Sequence, residues 1–434
     1  MRTDIVHIGA GELTYEIRNI VNVGMKLQKL GLTVNWENIG DPIAKGEHIP
    51  SWMREIVAAA VMDNATYGYS PTKGMQATRE FIAAETNRRG GAQIDAEDII
   101  FFNGLGDAIA KVFGFLRSTA RVLVPTPSYT THSSAEAAHA GDKPLTYLLD
   151  PNHHWYPDLD DLEKSVKYNP AVAGILIINP DNPTGAVYPR EILEAIVDIA
   201  RRYDLFVICD EVYHNIVYNG TSTPSLSEVI GEVPGIAMRG ISKEMPWPGS
   251  RCGWIEVYNG HKDPMFTKYI QSILNAKMVE VCSTTLPQVV YPRVVTHPDY
   301  QGYLEERTRR YEKCSNIAYD SLKDVKGVLV NRPNGAFYMS VCFEEGRLTH
   351  RQTLPIENNE IRQLVESLVA APGTSVDKRF VYYLLASTGV CVVPLSSFAT
   401  ELQGFRITLL ERDEEKFIQI FQTIAASITQ YLKS

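Results

Sequence analysis

An α/β fold, with a largely parallel sheet flanked by helices in a large domain and a smaller α+β domain beside it, is predicted by three observations. Through the middle of the chain, short apolar runs alternate with amphipathic helical stretches, the rhythm of repeated βαβ units. Turn residues follow most of those runs. After Asp299 the rhythm gives way to a long charged helical stretch and then two strand-like runs.

Taken in order, residues 13–30 carry the spacing of an amphipathic helix, and 34–40 read as a strand entering a loop. Apolar runs at 98–102, 121–124, 173–178, 205–209, 236–238 and 253–256 are the expected strands of the large sheet. A helix is expected at 301–325, then a strand pair at 328–330 and 336–342. Residues 344–372 are polar and irregular, which suits a surface loop and one helix. The amino-terminal segment is expected to complete the second domain.

A length of 434 residues allows two domains, since single cores stop growing well below that size. The formal net charge of −9 argues against nucleic acid or an anionic membrane as the main partner, because both demand a basic surface. Small polar or anionic metabolites remain open to it through local positive charge. Cys209, Cys252, Cys282, Cys314, Cys342 and Cys391 form no CxxC pair and stand at no zinc-ligand spacing. Reduced, mostly buried thiols in a cytoplasmic protein without a bound metal are therefore expected. The amino terminus is polar and acidic where a signal peptide needs an apolar run. No uncharged apolar stretch approaches the roughly 20 residues that span a bilayer.

One ordered series carries the chemistry: Asn179-Pro180-Asp181-Asn182-Pro183-Thr184-Gly185, then Asp210, Tyr213, Ser242-Lys243 and Arg251. A lysine in a Gly/Pro/Ser-rich loop is usually only solvated. A Schiff-base lysine must stand at a fixed point beside a phosphate site, with its charge disfavoured. Arg251, whose planar fork suits a phosphate, and the Ser242 hydroxyl supply that neighbour. Asp210 ends the apolar run 205–210, and a strand-end carboxylate in such a sheet points into the crevice where ligands bind. There it would keep a pyridine nitrogen protonated. A metal on Asp210 and Glu211 is the rival reading, weakened by the lack of His or Cys partners at metal spacing.

Asn182 and Tyr213 can be plain turn and strand residues. The doubled Asn-Pro, however, disfavours helix at each Asn and stiffens the turn after residues 175–178, as an amide meeting one ring oxygen requires. Asn103-Gly104-Leu105-Gly106-Asp107-Ala108 opens a helix, so its free amides suit a phosphate. Ile109 stands where a dinucleotide fingerprint needs its third glycine. Tyr129 can stack on a planar heterocycle. His132 can orient Asp210 from behind or be a satisfied buried imidazole. Together the set meets the needs of pyridoxal 5'-phosphate chemistry.

On these residues the chain resembles the class I and II aminotransferases of the aspartate aminotransferase fold. The match runs over nearly the whole length, through Asn38-Ile39-Gly40-Asp41-Pro42, Tyr67-Gly68-Tyr69, the Asn-Pro turn, Gly335-Ala336-Phe337-Tyr338 and Gly404-Phe405-Arg406. It is most similar to the bacterial glutamate-pyruvate (alanine) branch, through Tyr15-Glu16-Ile17-Arg18 and the stretches 155–161 and 182–188.

The resemblance implies a seven-stranded, mostly parallel sheet in a large domain at 46–300, an amino-terminal arm at 1–45 that shares in the small domain, and a small domain at 301–434. It implies an enzyme that moves an amino group between an L-amino acid and a 2-oxo acid. Lys243 becomes the lysine that bonds the cofactor aldehyde, Asp210 the partner of the pyridinium, and Asn182 and Tyr213 the ligands of its ring oxygen. Gly104, Leu105, Ser242 and Arg251 would hold the phosphate, with Tyr67 reaching it from the other subunit of a homodimer. Arg406, helped by Gly40 and Asn182, would clamp the substrate α-carboxylate. Arg18 would fold over the site and select a glutamate γ-carboxylate, although an arginine on an amphipathic helix is commonly a surface residue. No arginine occurs between Arg251 and Arg293, where the best-known aspartate aminotransferases carry one for a second carboxylate; this speaks against dedicated dicarboxylate recognition. Two further readings stay open. One is a β-lyase of the same fold, which eliminates a sulfur leaving group. The other is a non-catalytic regulatory protein that binds the cofactor, whose usual DNA-binding domain the sequence pattern does not show.

Overall fold

A computed structural model of the chain describes residues 5–13 and 17–434, so Tyr15 and Glu16 lie outside the described residues. The strands are β1 (Asn35–Trp36), β2 (Ile99–Phe102), β3 (Arg121–Thr126), β4 (Thr146–Asp150), β5 (Tyr156–Pro157), β6 (Val172–Ile178) and β7 (Phe206–Asp210). They continue with β8 (Gly235–Gly240), β9 (Gly253–Tyr258), β10 (Val328–Val330), β11 (Tyr338–Phe343), β12 (Val390–Cys391), β13 (Val393–Pro394) and β14 (Gly404–Thr408).

One sheet runs in the order β2-β9-β8-β7-β6-β3-β4-β5. Its ladders from β8 through β7, β6 and β3 to β4 are parallel. β9 runs against both of its neighbours, and the two-residue β5, an eighth strand beyond the expected seven, runs against β4. The reason these strands read as unbroken apolar runs is that both faces of the sheet are covered. Ile100, Phe102, Leu176, Ile178, Ile208, Ile236 and Met238 enter one core with Val112 and Phe113 of the helix Leu105–Gly114 and Ile273 of the helix Pro264–Glu280. The alternate residues Ile99, Phe101, Ile175, Ile177, Val207 and Ala237 enter the other core. There the helix Arg190–Arg202 contributes Leu193, Ile196, Val197 and Ala200, one stripe at helical spacing.

The second sheet is antiparallel, in the order β10-β11-β14-β13. A separate parallel ladder joins β1 to β12, with Asn35 opposite Val390; the amino-terminal segment is thereby tied to the last third of the chain. The expected helices appear as Ile17–Lys29 and Tyr300–Leu322, and the helix within 344–372 as Asn359–Val369. The helix Val376–Thr388 was not foreseen and leads directly into β12. All six cysteines are free, and all but Cys282 are buried. Among the described residues no helix is long and apolar enough to cross a membrane.

Gly389 is the joint between that last helix and β12. It caps the helix in the left-handed region at φ 77°, and a Cβ there would fall 2.2 Å from the Thr33 carbonyl oxygen. Gly389→Ala is therefore expected to lower stability by at least about 1–3 kcal/mol from backbone strain. Denaturant unfolding checks this, and an unchanged midpoint would contradict it.

Candidate active site

The carboxyl ends of β6, β7 and β8 meet in register, with Ile178 opposite Asp210 and Asp210 opposite Met238. A crevice beyond these ends is where open α/β sheets bind ligands. Here it is a cavity of about 410 Å³, within the roughly 300–1,000 Å³ typical of small-molecule sites. Asp210, Asn182, Tyr213, Ser242, Lys243, Arg251, Leu105, Tyr129, Gly40, Arg406 and Arg18 all line it. Tyr67 does not; it is exposed on the surface.

Asp210 is buried at the end of β7. One carboxylate oxygen lies 2.9 Å from Nε2 of the fully buried His132, and the other accepts the Val212 amide at 3.1 Å. His132 arrives on the helix Thr130–Ala140, which follows β3, and Tyr129 and Phe113 meet its ring edge-on. Glu211 turns the other way. Its carboxylate pairs with Arg239 and accepts the Ser225 hydroxyl and the Leu226 amide, all of them buried. The two adjacent acids therefore do not converge, and a shared metal has no basis in this geometry.

Lys243 stands in the loop after β8. Its amine donates to the Gly40 carbonyl at 2.8 Å and lies 5.9 Å from the centre of the Tyr213 ring and 5.6 Å from that of Phe337. Burial, reinforced by Tyr338, holds the Tyr213 phenol well above its ordinary pKa. It is thus protonated at neutral pH and able to donate; its hydroxyl is 3.1 Å from that of Tyr338.

Gly104, at φ 81°, sits directly under the Arg251 guanidinium, where a Cβ would fall 2.5 Å from Nη2. Only glycine lets the arginine lie so close over this loop. Arg251 donates to the Pro248 and Asn103 carbonyls at 3.2 and 3.5 Å. The helix Leu105–Gly114 begins at the next residue, and its first amides have no intrahelical acceptor. A guanidinium and a helix amino terminus therefore face the same corner of the cavity, an arrangement suited to a phosphate.

Arg406 is buried on β14, opposite Ser340 of β11 and Val393 of β13. It donates to the Asn38 carbonyl at 2.6 Å and to the Asn182 side-chain oxygen at 3.3 Å. Its guanidinium carbon lies 4.6 Å from the Tyr338 ring centre and 5.2 Å from that of Phe398, which fixes its plane. Arg18 and Val21 reach the cavity from the helix Ile17–Lys29. Sequence reasoning assigned no role to Asn38 or Tyr338, although both stand inside motifs it singled out.

Comparison with known proteins identifies the family. The family model described as aminotransferase class I and II matches residues 35–421. An uncharacterized aminotransferase of Methanocaldococcus jannaschii is 59% identical over the full length of both chains. The chain belongs to the class I and II aminotransferases. Within this family, the glutamate-pyruvate aminotransferase AlaA of Escherichia coli K12 is 32% identical over 75% of this chain and 79% of its own length. The solved alanine aminotransferase of Pyrococcus furiosus superposes with a TM-score of 0.83 at 28% identity, over 98% of this chain and all of that one. Aminotransferases act on amino acids and oxo acids, and the α/β layout described above is their fold.

One acid of this aminotransferase's Asn-Pro turn is unusual. Burial pushes the Asp181 carboxyl up to about 7, against two donors from Thr184, and the neighbouring Asp210 adds to the rise. In the unfolded chain the same group ionises near about 4. Between those values the unfolded state releases a proton that the folded state keeps, so this residue's contribution to stability declines as pH rises from about 4 to about 7. Asp181→Asn removes that decline. The melting-temperature difference, variant minus wild type, is expected to grow in the variant's favour from pH 5 to pH 8; a difference independent of pH would refute the shift.

Proposed function

We propose that this aminotransferase uses pyridoxal 5'-phosphate to move an amino group between an L-amino acid and a 2-oxo acid, with alanine and glutamate as the amino donors. The observation that carries the reading is the convergence of one amine, Lys243, one buried carboxylate, Asp210, and one buried guanidinium, Arg406, on a single cavity. The donor set fits the cofactor: Arg251, Ser242 and the amides at Gly104 and Leu105 for its phosphate, Asp210 for its ring nitrogen, Asn182 and Tyr213 for its ring oxygen, and Tyr129 beside its plane. Bound there, it supplies an aldehyde that takes up amino groups and a cationic ring that draws electrons from the substrate Cα–H bond.

The chain's own residues do the rest. Arg406 binds the α-carboxylate through two parallel hydrogen bonds, and the Tyr338 and Phe398 rings hold its plane and so orient the Cα–H bond. The Lys243 amine would take the proton at Cα as a base and, once protonated, give it up again as an acid. Gly40 offers a carbonyl on which that amine can rest. Asp210, held by His132, would be the carboxylate partner of the ring nitrogen.

Support for the substrate class comes from the apolar Val21 and Ile39 lining the cavity with Arg18 and from the names of the Escherichia coli and Pyrococcus relatives. We also place the protein in the cytoplasm, where six free thiols are at home, as a homodimer. The dimer reading rests on Met62, Tyr67, Tyr69 and Val279, each more than 70% exposed. Hydrogen bonds from Ser70 to Ser283 and from Thr285 to Gly68 bring their loops to one face, from which Tyr67 would reach the partner's phosphate.

The deciding experiment adds each amino acid to the cofactor-loaded protein and follows amination of the cofactor by absorbance. Alanine and glutamate are expected to react fastest; ammonia and pyruvate released from cystathionine without an acceptor would reassign the protein to elimination. Lys243→Ala is expected to lose the lysine-bound absorbance band and at least about 10³-fold in kcat. Full activity in that variant would end the proposal. Arg18→Ala is expected to raise KM for glutamate roughly tenfold, the equivalent of about 1.4 kcal/mol, while leaving KM for alanine unchanged. Equal behaviour toward both substrates would remove Arg18 as selector.

A further inference from the structure

The helix Tyr300–Leu322 sends one buried arginine into the space between two loops of the site. Arg307 is 4% exposed, and its donors are nearly all committed. Nη2 donates to the Lys243 carbonyl and to the Tyr311 hydroxyl, both at 3.0 Å, and Nη1 donates to the Glu244 carbonyl. Nε pairs with one oxygen of Glu47, itself buried; the other Glu47 oxygen accepts from Arg310 at 2.6 Å and from Tyr311 at 3.2 Å. Burial alone would raise the Glu47 carboxyl, but the two arginines outweigh it and hold the group below its ordinary range.

Glu47 lies on the same loop as Gly40, whose carbonyl receives the Lys243 amine. The two loops are therefore joined twice, once through the reactive amine and once through a guanidinium that grips the backbone under it. The first link must break whenever the amine works. The second need not, and it is the stiffer of the two, because a buried charge pair with its hydrogen bonds made is costly to open. The segment it holds has no helix or strand of its own from Ile241 to Trp247.

Resting on the function proposed above, we infer that Arg307, anchored by Glu47, is a positioning residue for Lys243. It fixes the backbone from which the amine swings, and so the reach and direction of proton transfer. Arg307 does not line the cavity itself. Displacement of a reacting group by about 1 Å can cost 10²-fold in rate, so a small shift of this backbone is enough to matter.

The test uses Arg307→Met and Glu47→Gln in the full chain loaded with pyridoxal phosphate. Hydrogen–deuterium exchange, which needs no turnover, is expected to rise at least about tenfold for amides in 240–247 while β6 stays unchanged, the mark of local rather than global opening. In amino transfer, kcat is expected to fall roughly 10- to 100-fold with KM and cofactor retention unchanged, and the isotope effect of α-deuterated alanine is expected to increase. Unchanged local exchange or unchanged kcat would overturn the inference. So would a fall in kcat accompanied by equal losses of melting temperature and bound cofactor, since that describes a structural role only. Should Arg307→Met fail to fold, Glu47→Gln keeps the shape of the pair and carries the same readouts. A wild-type chain that transfers no amino group would sink the proposed function, while the exchange data would still decide whether the latch exists.

Discussion

A carboxyl group buried at the end of a central β-strand is costly unless the protein replaces the hydrogen bonds to water it has lost. The Asp210–His132 contact at 2.9 Å, with the Val212 amide on the other oxygen, is that replacement. It ties the tip of β7 to the helix after β3, two elements that are not neighbours in the sheet. Much of the cavity is arranged around this buried acid. The parallel register aims β6 and β8 at the same edge, so the Asn-Pro turn and the lysine loop emerge on either side of the acid.

The charge pattern is the reverse of the chain's overall balance. A protein of net charge −9 lines its cavity with Arg18, Arg251 and Arg406. Such focusing inside low-dielectric walls draws small anions inward while the acidic surface discourages polyanions. Beneath the lysine loop, Glu211, Arg239 and Glu256 form a second charged layer that is buried and internally paired, with an Arg239–Glu256 separation of 3.3 Å.

The residues differ in how plainly the sequence announced them. β6, β7 and β8 were legible because burial on both faces makes them continuous apolar runs, and Asp210 was legible because a charge ends one of those runs. β4 was not read, since its residues alternate between buried and half-buried near the sheet edge. The helix Val376–Thr388 also escaped notice. It is buried on almost every side, from Phe380 to Ala386 without interruption, so it has no polar stripe to set its period. β12 and β13, two residues each, exist through pairing alone, whereas β1 falls inside the strand expected at 34–40. At the site, side chains with distinctive chemistry were found from motifs. Gly40 was read as a site residue, but the use of its carbonyl by Lys243, and of the Asn38 carbonyl by Arg406, was not, because a carbonyl oxygen carries no residue-specific signal. Arg307 was hidden in a run of charged residues on a long helix, where only tertiary contact separates a buried arginine from its solvated neighbours.

The bond from Arg406 to the Asn38 carbonyl spans 368 residues. With the ladder that sets Asn35 beside Val390, it brings segments far apart in sequence together at one side of the pocket. Loop closure over such a distance comes late and adds little once the scaffold is formed. The surroundings of Arg406 therefore draw on residues before and after the central sheet, which is itself complete within Ile99–Tyr258.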